Sequence, residues 1–126
     1  MSAAVAVMAA GLFNLALAAF HVTFWKLFDW PETLKPLDPI NRGILQVANL
    51  ALVCLFALLG IVLMFAPPNA AGTLFGRLLL GGLALFWLGR AIVQAPFFGL
   101  THPASILITL IFLFGAVLHA LPFFLT

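Results

Sequence analysis

The most polar part of this otherwise apolar sequence is the stretch INRGILQVAN at residues 40–49. Arg42, Gln46 and Asn49 are spaced i, i+4 and i+7 within it, so a helix would place all three side chains on one face. Guanidinium and amide groups donate hydrogen bonds to carboxylate, phosphate and carbonyl oxygens. This stripe is therefore suited to binding an anionic or a carbonyl-bearing molecule.

A second polar pair follows later, where Arg90 and Gln94 repeat the i, i+4 spacing and Trp87 lies about one turn earlier. A guanidinium inside an apolar segment costs a few kcal/mol unless it is paired or reaches water. Acidic residues are confined to the first loop, so Arg90 has no carboxylate in its own span, which favours an anionic or a carbonyl-bearing ligand. The alternative is that Asp29 or Asp38 folds inward to pair with it.

Composition restricts the class of protein. The chain is 66% hydrophobic and only 6% charged, against roughly a quarter for a soluble domain, so the lipid bilayer is its expected surrounding. Nucleic acid is not an expected partner, because the sequence has no Lys/Arg cluster and no glycine-rich phosphate loop. Three scattered histidines and one cysteine predict no metal site. That cysteine, Cys54, is expected to be a small packing residue.

Four apolar runs are each near or above the ~20 residues that cross ~30 Å of hydrocarbon. Such runs must be helical, because lipid offers no hydrogen bonds to free backbone groups. The predicted fold is all-α, an integral membrane four-helix bundle forming a single transmembrane domain over residues 1–126. A short interfacial helix is expected in the first loop, where Asp29 and Glu32 have capping-box spacing. The predicted spans are about 3–27, 40–66, 73–97 and 103–125.

The distribution of basic residues predicts an orientation. Lys26, Lys35, Arg42 and Arg90 gather towards the 28–39 loop, and the positive-inside rule then puts this loop in the cytoplasm and both termini outside. The expected location is a bacterial inner membrane. Because no Lys or Arg precedes Lys26, the first run is expected to remain as a span and not to be cleaved as a secretory signal.

Antiparallel spans would bring most of the strongly polar side chains into one leaflet, which predicts a shared polar pocket. The alternative is that the amides and hydroxyls only join helices, each contributing roughly 1 kcal/mol or less. Glycines at GxxxG and seven-residue spacing predict close helix approach, within the chain or in a homo-oligomer. The candidate ligand-binding residues are His21, Arg42, Gln46, Asn49, Trp87, Arg90 and Gln94; the glycines are Gly72, Gly76, Gly82 and Gly89.

The segments FHVTFWKLFDW and NRGILQVAN resemble those of small uncharacterised four-span membrane proteins of bacteria. The plan of four spans with a longer first loop also resembles MAPEG proteins, the membrane enzymes of eicosanoid and glutathione metabolism. In that family a trimer binds glutathione through Arg, Asn, Gln and His residues near the cytoplasmic side. The resemblance implies comparable roles for Arg42, Gln46, Asn49 and Arg90, although this chain has no tyrosine and no acidic residue in a span.

Three functions are compatible with these observations. The first is a membrane protein that binds or passes a small polar or anionic molecule through the polar pocket. The second is a MAPEG-like enzyme that acts on a lipophilic substrate with a thiol cofactor, with an arginine stabilising a thiolate or oxyanion. The third is an accessory or assembly subunit of a membrane complex. Whether the protein is an enzyme is left open by the sequence.

Overall fold

The computed structural model describes residues 1–125, and their regular structure is helical, with seven α-helices and no strand in that range. Helices make up 82% of the chain. Two 3-10 turns, Ala70–Gly72 and Leu121–Phe124, accompany them. The α-helices are α1 (Ala3–Val22), α2 (Phe24–Leu27), α3 (Trp30–Thr33), α4 (Pro39–Met64), α5 (Leu74–Ile92), α6 (Gln94–Phe98) and α7 (Pro103–Ala120).

Four helical segments within the described residues are long and apolar enough to cross a membrane. They contain 20 to 26 residues, or about 30 to 39 Å at 1.5 Å per residue. This confirms the predicted all-α class and the four candidate transmembrane helices. The segments are Ala3–Val22, Pro39–Met64, Leu74–Phe98 and Pro103–Phe124.

The first span is shorter than predicted, because α1 ends at Val22 and the chain turns at Thr23 before α2. The Thr23 hydroxyl donates to the Phe20 carbonyl at 2.6 Å, a local bond that competes with continued helix. The predicted short helix of the first loop is present as α3. Its N-cap residue, Asp29, has left-handed backbone angles of φ 47° and ψ 50°, and its side chain makes no capping hydrogen bond, so the capping box expected from the Asp29–Glu32 spacing does not form.

The third span was expected at about residues 73–97, and the structure has a candidate span at Leu74–Phe98 that is interrupted at Val93, between α5 and α6. Pro96 explains the interruption, because it has no N–H to donate to the Ile92 carbonyl four residues earlier. The Val93 N–H still donates to the Gly89 carbonyl at 3.0 Å. The break is therefore local, and it lies inside the segment that carries Arg90 and Gln94.

The chain divides into two compact units, described separately below: the loop unit, Gly11–Leu63, and the hairpin unit, Met1–Ala10 with Met64–Thr126. In the loop unit, α1 and α4 approach closely at Gly60. A Cβ atom there would lie 2.5 Å from Cγ of Leu15 and 3.0 Å from the carbonyl oxygen of Gly11. Cys54, on the same helix, was expected to be a small packing residue, and the structure leaves it exposed among the described residues.

In the hairpin unit α5 packs against α7 along a buried stripe that includes Leu80, Leu83, Trp87 and Ala91. The Trp87 and Phe112 rings stack there with centroids 5.6 Å apart. This contact fixes the side of α5 that is buried in the hairpin.

The predicted close approach at glycines has mixed outcomes within the hairpin unit. Gly76 packs against the backbone of Ala70 in the preceding turn. A Cβ at Gly72, Gly82 or Gly89 would meet no atom of residues 1–125 within 4 Å. The predicted close helix approach at these three glycines is therefore not seen within residues 1–125.

Candidate functional site

A chain of polar contacts crosses the break in the third span. Nη1 of Arg90 donates to Oε1 of Gln94 at 3.0 Å. The Gln94 amide nitrogen donates to the Ser105 hydroxyl on α7 at 3.0 Å, and that hydroxyl donates to the Gly99 carbonyl at 2.5 Å. The structure thus brings Arg90 and Gln94 together and ties both to the start of the fourth span.

Gln94 is the central, buried residue of this series of hydrogen bonds. Its side chain is buried, and the residue is only 3% exposed. One end of its amide accepts from Arg90 and the other donates to Ser105. Gln94 therefore positions the guanidinium, and Ser105 in turn holds the amide in the orientation that allows this contact.

The Arg90 guanidinium lies against aromatic rings. Its central carbon is 4.5 Å from the centroid of Phe112 and 5.7 Å from that of Phe98. Trp87, one turn before Arg90, stacks on the Phe112 ring, the nearer of the two rings that Arg90 contacts. The predicted site residue Trp87 thus supports a ring that contacts the cation, a geometry that attracts a guanidinium by cation–π interaction.

Most of the hydrogen-bonding capacity of Arg90 is unused within the described residues. A guanidinium has five N–H donors, and Arg90 has one hydrogen bond, to Gln94. The sequence of the hairpin unit contains no Asp or Glu. The one ion pair in residues 1–125 joins Lys35 and Glu32 at 2.7 Å, so the charge of Arg90 is not balanced by a carboxylate there.

In the loop unit, His21 and Asn49 are also brought together, but through the backbone. Nδ2 of Asn49 donates to the His21 carbonyl at 2.9 Å, near the end of α1. Nδ1 of His21 lies 2.8 Å from the Leu17 carbonyl, and its ring stacks on Phe24 with centroids 4.6 Å apart. Because the last carbonyls of a helix lack intrahelical partners, Asn49 acts here as a cap for α1.

Arg42 and Gln46 are partly buried on α4 and form no side-chain hydrogen bond, ion pair or ring contact within residues 1–125. Asp38 caps the start of α4, and its carboxylate accepts a hydrogen bond from the side-chain amide of Asn41, not from Arg42. A shallow concavity of about 540 Å³ lies on another face of the same helix. It contains none of the predicted site residues; its lining is Pro39, Ile40, Gly43, Ile44, Val47 and Ala48.

The predicted site residues therefore fall into two groups, and a pocket shared by all seven stays a prediction. The hairpin unit holds three of them in contact with one another or with a common ring, and the loop unit holds the other four. The first group is Trp87, Arg90 and Gln94; the second is His21, Arg42, Gln46 and Asn49.

The sequence analysis did not identify the two aromatic residues of the Arg90 cluster, which consists of Arg90, Gln94, Phe98, Ser105 and Phe112. Phe98 and Phe112 are two of 14 phenylalanines, and nothing in their spacing separates them from those that only pack. Ser105 is not among the candidate ligand-binding residues, although the sequence places it among the polar side chains of the same leaflet, in the first turn of the helix that His102-Pro103 predicts. The structure confirms that start: His102 Nδ1 accepts from the Ala104 N–H at 3.1 Å.

Comparison with protein-family models, curated proteins and solved structures gives no match for this chain. The resemblance to four-span bacterial proteins and to MAPEG proteins therefore stays a prediction. The geometry of the Arg90 cluster is the basis for any functional proposal.

Proposed function

We propose that this protein binds the carboxylate or phosphate group of an anionic ligand at the cluster formed by Arg90, Gln94, Phe98, Ser105 and Phe112. The observation that supports this most strongly is the guanidinium of Arg90. It uses one of its five N–H donors, and its own unit has no acidic side chain. Arg90 supplies the charge that contacts the ligand, and Gln94 positions it.

The energetics of a cation in lipid favour an anionic partner. A guanidinium within the apolar slab costs a few kcal/mol, and aromatic faces return about 0.5 to 2 kcal/mol. A carboxylate or phosphate accepts two parallel N–H bonds from the planar guanidinium. Such a ligand would neutralise the charge of Arg90 and accept hydrogen bonds from guanidinium N–H groups that have no acceptor within the described residues.

The depth of Arg90 allows a ligand to reach it from the membrane surface. Arg90 lies eight residues before Phe98, the end of the third span, or about 12 Å at 1.5 Å per residue. Its flexible stem can bring the guanidinium part of the way to the interface. We place the site in the cytoplasmic leaflet of a bacterial inner membrane, a proposal supported by the Lys and Arg residues around the 28–39 loop.

The proposal is tested by thermal unfolding in uncharged detergent with a series of anions that includes phosphate, acetate and glutathione. Ligand binding stabilises the folded state in proportion to RT ln(1 + [L]/Kd). We expect stabilisation of the wild type and loss of it in Arg90→Gln. The matched control is Arg77→Gln, since Arg77 is on the same helix and also faces a ring, 5.7 Å from Phe123. Equal stabilisation of Arg90→Gln and the wild type contradicts the proposal.

A second candidate is the assembly subunit, and the glycine face of α5 is the observation that favours it. Gly82 and Gly89 are seven residues apart and leave space on the helix surface, which is how membrane helices come into close contact. Gly82→Leu with Gly89→Leu is expected to abolish self-association or partner retention while the chain stays folded. An unchanged oligomeric mass on light scattering and unchanged partner retention would rule this candidate out.

A further inference from the structure

We infer that the ligand bound at Arg90 is an anionic amphiphile, whose apolar chain lies along α5 in the bilayer and whose carboxylate or phosphate headgroup contacts the guanidinium. This inference rests on the proposed function and specifies its ligand class. Three features of the hairpin unit support it: the position of Arg90 on α5, the apolar side chains beside it, and the occupied state of its polar neighbours.

Arg90 lies at the edge of the buried stripe of α5, not in its middle. The stripe continues through Leu83, Trp87 and Ala91, which are buried. Arg90 is three residues after Trp87, which rotates its side chain towards the border of the packed face. A border position gives the guanidinium access from the lipid side as well as from the hairpin.

The side chains that share this border are apolar and exposed. Phe86 and Val93 are at i−4 and i+3 from Arg90, the positions that lie beside it on a helix surface; Phe97 follows on α6, beyond the interruption at Val93. Their exposed fractions are 43%, 40% and 79%. The guanidinium is therefore flanked by exposed apolar surface that an alkyl chain can cover.

The polar side chains next to Arg90 already form hydrogen bonds within the protein. The Gln94 amide binds Arg90 and Ser105, and the Ser105 hydroxyl donates to the Gly99 carbonyl. A water-soluble polar ligand would need several further polar contacts at this depth to replace its hydration. An amphiphile needs only the contact with its headgroup, because its chain stays in an apolar surrounding throughout.

Fatty-acid carboxylates and phospholipid phosphates share this chemistry, so the experiment compares both sources with short soluble counterparts. Wild type, Arg90→Gln and Arg77→Gln are held in uncharged maltoside micelles, and thermal unfolding is followed in five titrations. Laurate is paired with acetate, and lysophosphatidylglycerol is paired with glycerol phosphate. Lysophosphatidylcholine, which has a similar chain and no net charge, controls for the effect of the chain alone.

We expect each long-chain anion to stabilise the wild type and Arg77→Gln at concentrations at least tenfold lower than its short counterpart. Arg90→Gln should lose this difference, and lysophosphatidylcholine should have no Arg90-dependent effect. Equal potency of short and long anions, still dependent on Arg90, overturns the amphiphile and leaves the proposed function intact. Stabilisation by none of these anions, or stabilisation that Arg90→Gln retains, overturns both.

Native mass spectrometry of the wild type keeps the inference testable if Arg90→Gln does not fold. The protein is released from mixed micelles that contain equal amounts of lysophosphatidylglycerol and lysophosphatidylcholine. Retention of the anionic lipid in at least fivefold excess supports the inference. Equal retention of the two lipids contradicts it.

Discussion

The Asn49 side chain and the His21 backbone are joined within the loop unit, where Nδ2 of Asn49 donates to the His21 carbonyl at 2.9 Å. Asn49 is buried, and its Oδ1 has no hydrogen-bond partner in residues 1–125. The Asn49 side chain therefore has one satisfied donor, Nδ2, at the end of α1 and one buried acceptor, Oδ1, that is unsatisfied. Asn49 thus caps the end of α1, and its part in ligand binding stays a prediction.

Asn49→Leu should lower the free energy of unfolding by about 1 kcal/mol or less, the usual size of an interhelical hydrogen bond in a membrane. The loss is small because leucine also removes the unsatisfied oxygen. Chemical unfolding in mixed micelles measures it. The matched control is Gln46→Leu, one turn earlier on α4 and without a side-chain hydrogen bond in the described chain. A larger loss at Gln46 than at Asn49 would show that the cap is unimportant.

Gly60→Ala should destabilise the loop unit by about 1 to 3 kcal/mol, the usual cost of overpacking. The added methyl would lie 3.0 Å from the Gly11 carbonyl oxygen, a backbone atom that cannot move freely. Gly43→Ala on the same helix meets nothing within 4 Å among the described residues and should be neutral or stabilising, because alanine favours helix over glycine. Thermal unfolding of the pair decides, and equal midpoints would contradict the close approach of α1 and α4.

Asp29→Gly should hold or raise stability, by up to about 1 kcal/mol, because glycine adopts left-handed angles without the penalty that a side chain brings. Asp29 has φ 47°. Asp29→Val, which adds a β-branched side chain at the same angles, should be clearly destabilising. The midpoints of thermal unfolding give the order Gly, Asp, Val, and the reverse order would mean that the turn is not left-handed.

Asp38 makes a predictable contribution to the pH dependence of stability. Hydrogen bonds from the Asn41 side chain, and from the Asn41 and Ile40 N–H groups, hold the pKa of its carboxyl below the ordinary value of 3.8. A group with a lowered folded-state pKa stabilises above its unfolded pKa and loses that contribution as the pH falls through the folded value. The wild type should therefore lose stability below about pH 4.

The control for this effect is Asp38→Asn, which keeps a cap that accepts hydrogen bonds and has no charge to titrate. Unfolding midpoints of the two proteins between pH 3 and pH 6 should diverge at the upper end and converge at the lower. Parallel curves over the whole range would show that Asp38 is not the titrating cap.

Much of the helical plan follows from the sequence, because length and hydropathy alone require four apolar helices. The interruption at Val93 was not predicted, although the sequence contains its cause, since Pro96 removes a helical hydrogen bond to the carbonyl four residues earlier. The break at Thr23 was not predicted either, because the hydrogen bond from its hydroxyl to the Phe20 carbonyl is a local contact that the residue type alone does not predict.

The candidate site was predictable only where a single helix determines it. The i, i+4 spacing predicts that Arg90 and Gln94 meet, and they do. It does not predict that Ser105 takes the other end of the Gln94 amide, or that the Phe112 ring faces the guanidinium. Those contacts depend on how α6 and α7 pack, which is set by side-chain shape across the hairpin.

The most direct test of the central claim is a nitrogen-15 NMR titration of the arginine side chains. The chain has three arginines, Arg42, Arg77 and Arg90, so labelled arginine gives three Nε–H signals that single Arg→Lys variants assign. Laurate and phosphate are added separately to the protein in uncharged micelles. Anion binding at Arg90 predicts a saturable shift of its signal with at least one of them, while the other two signals stay in place. A stationary Arg90 signal, or equal movement of all three, would contradict it.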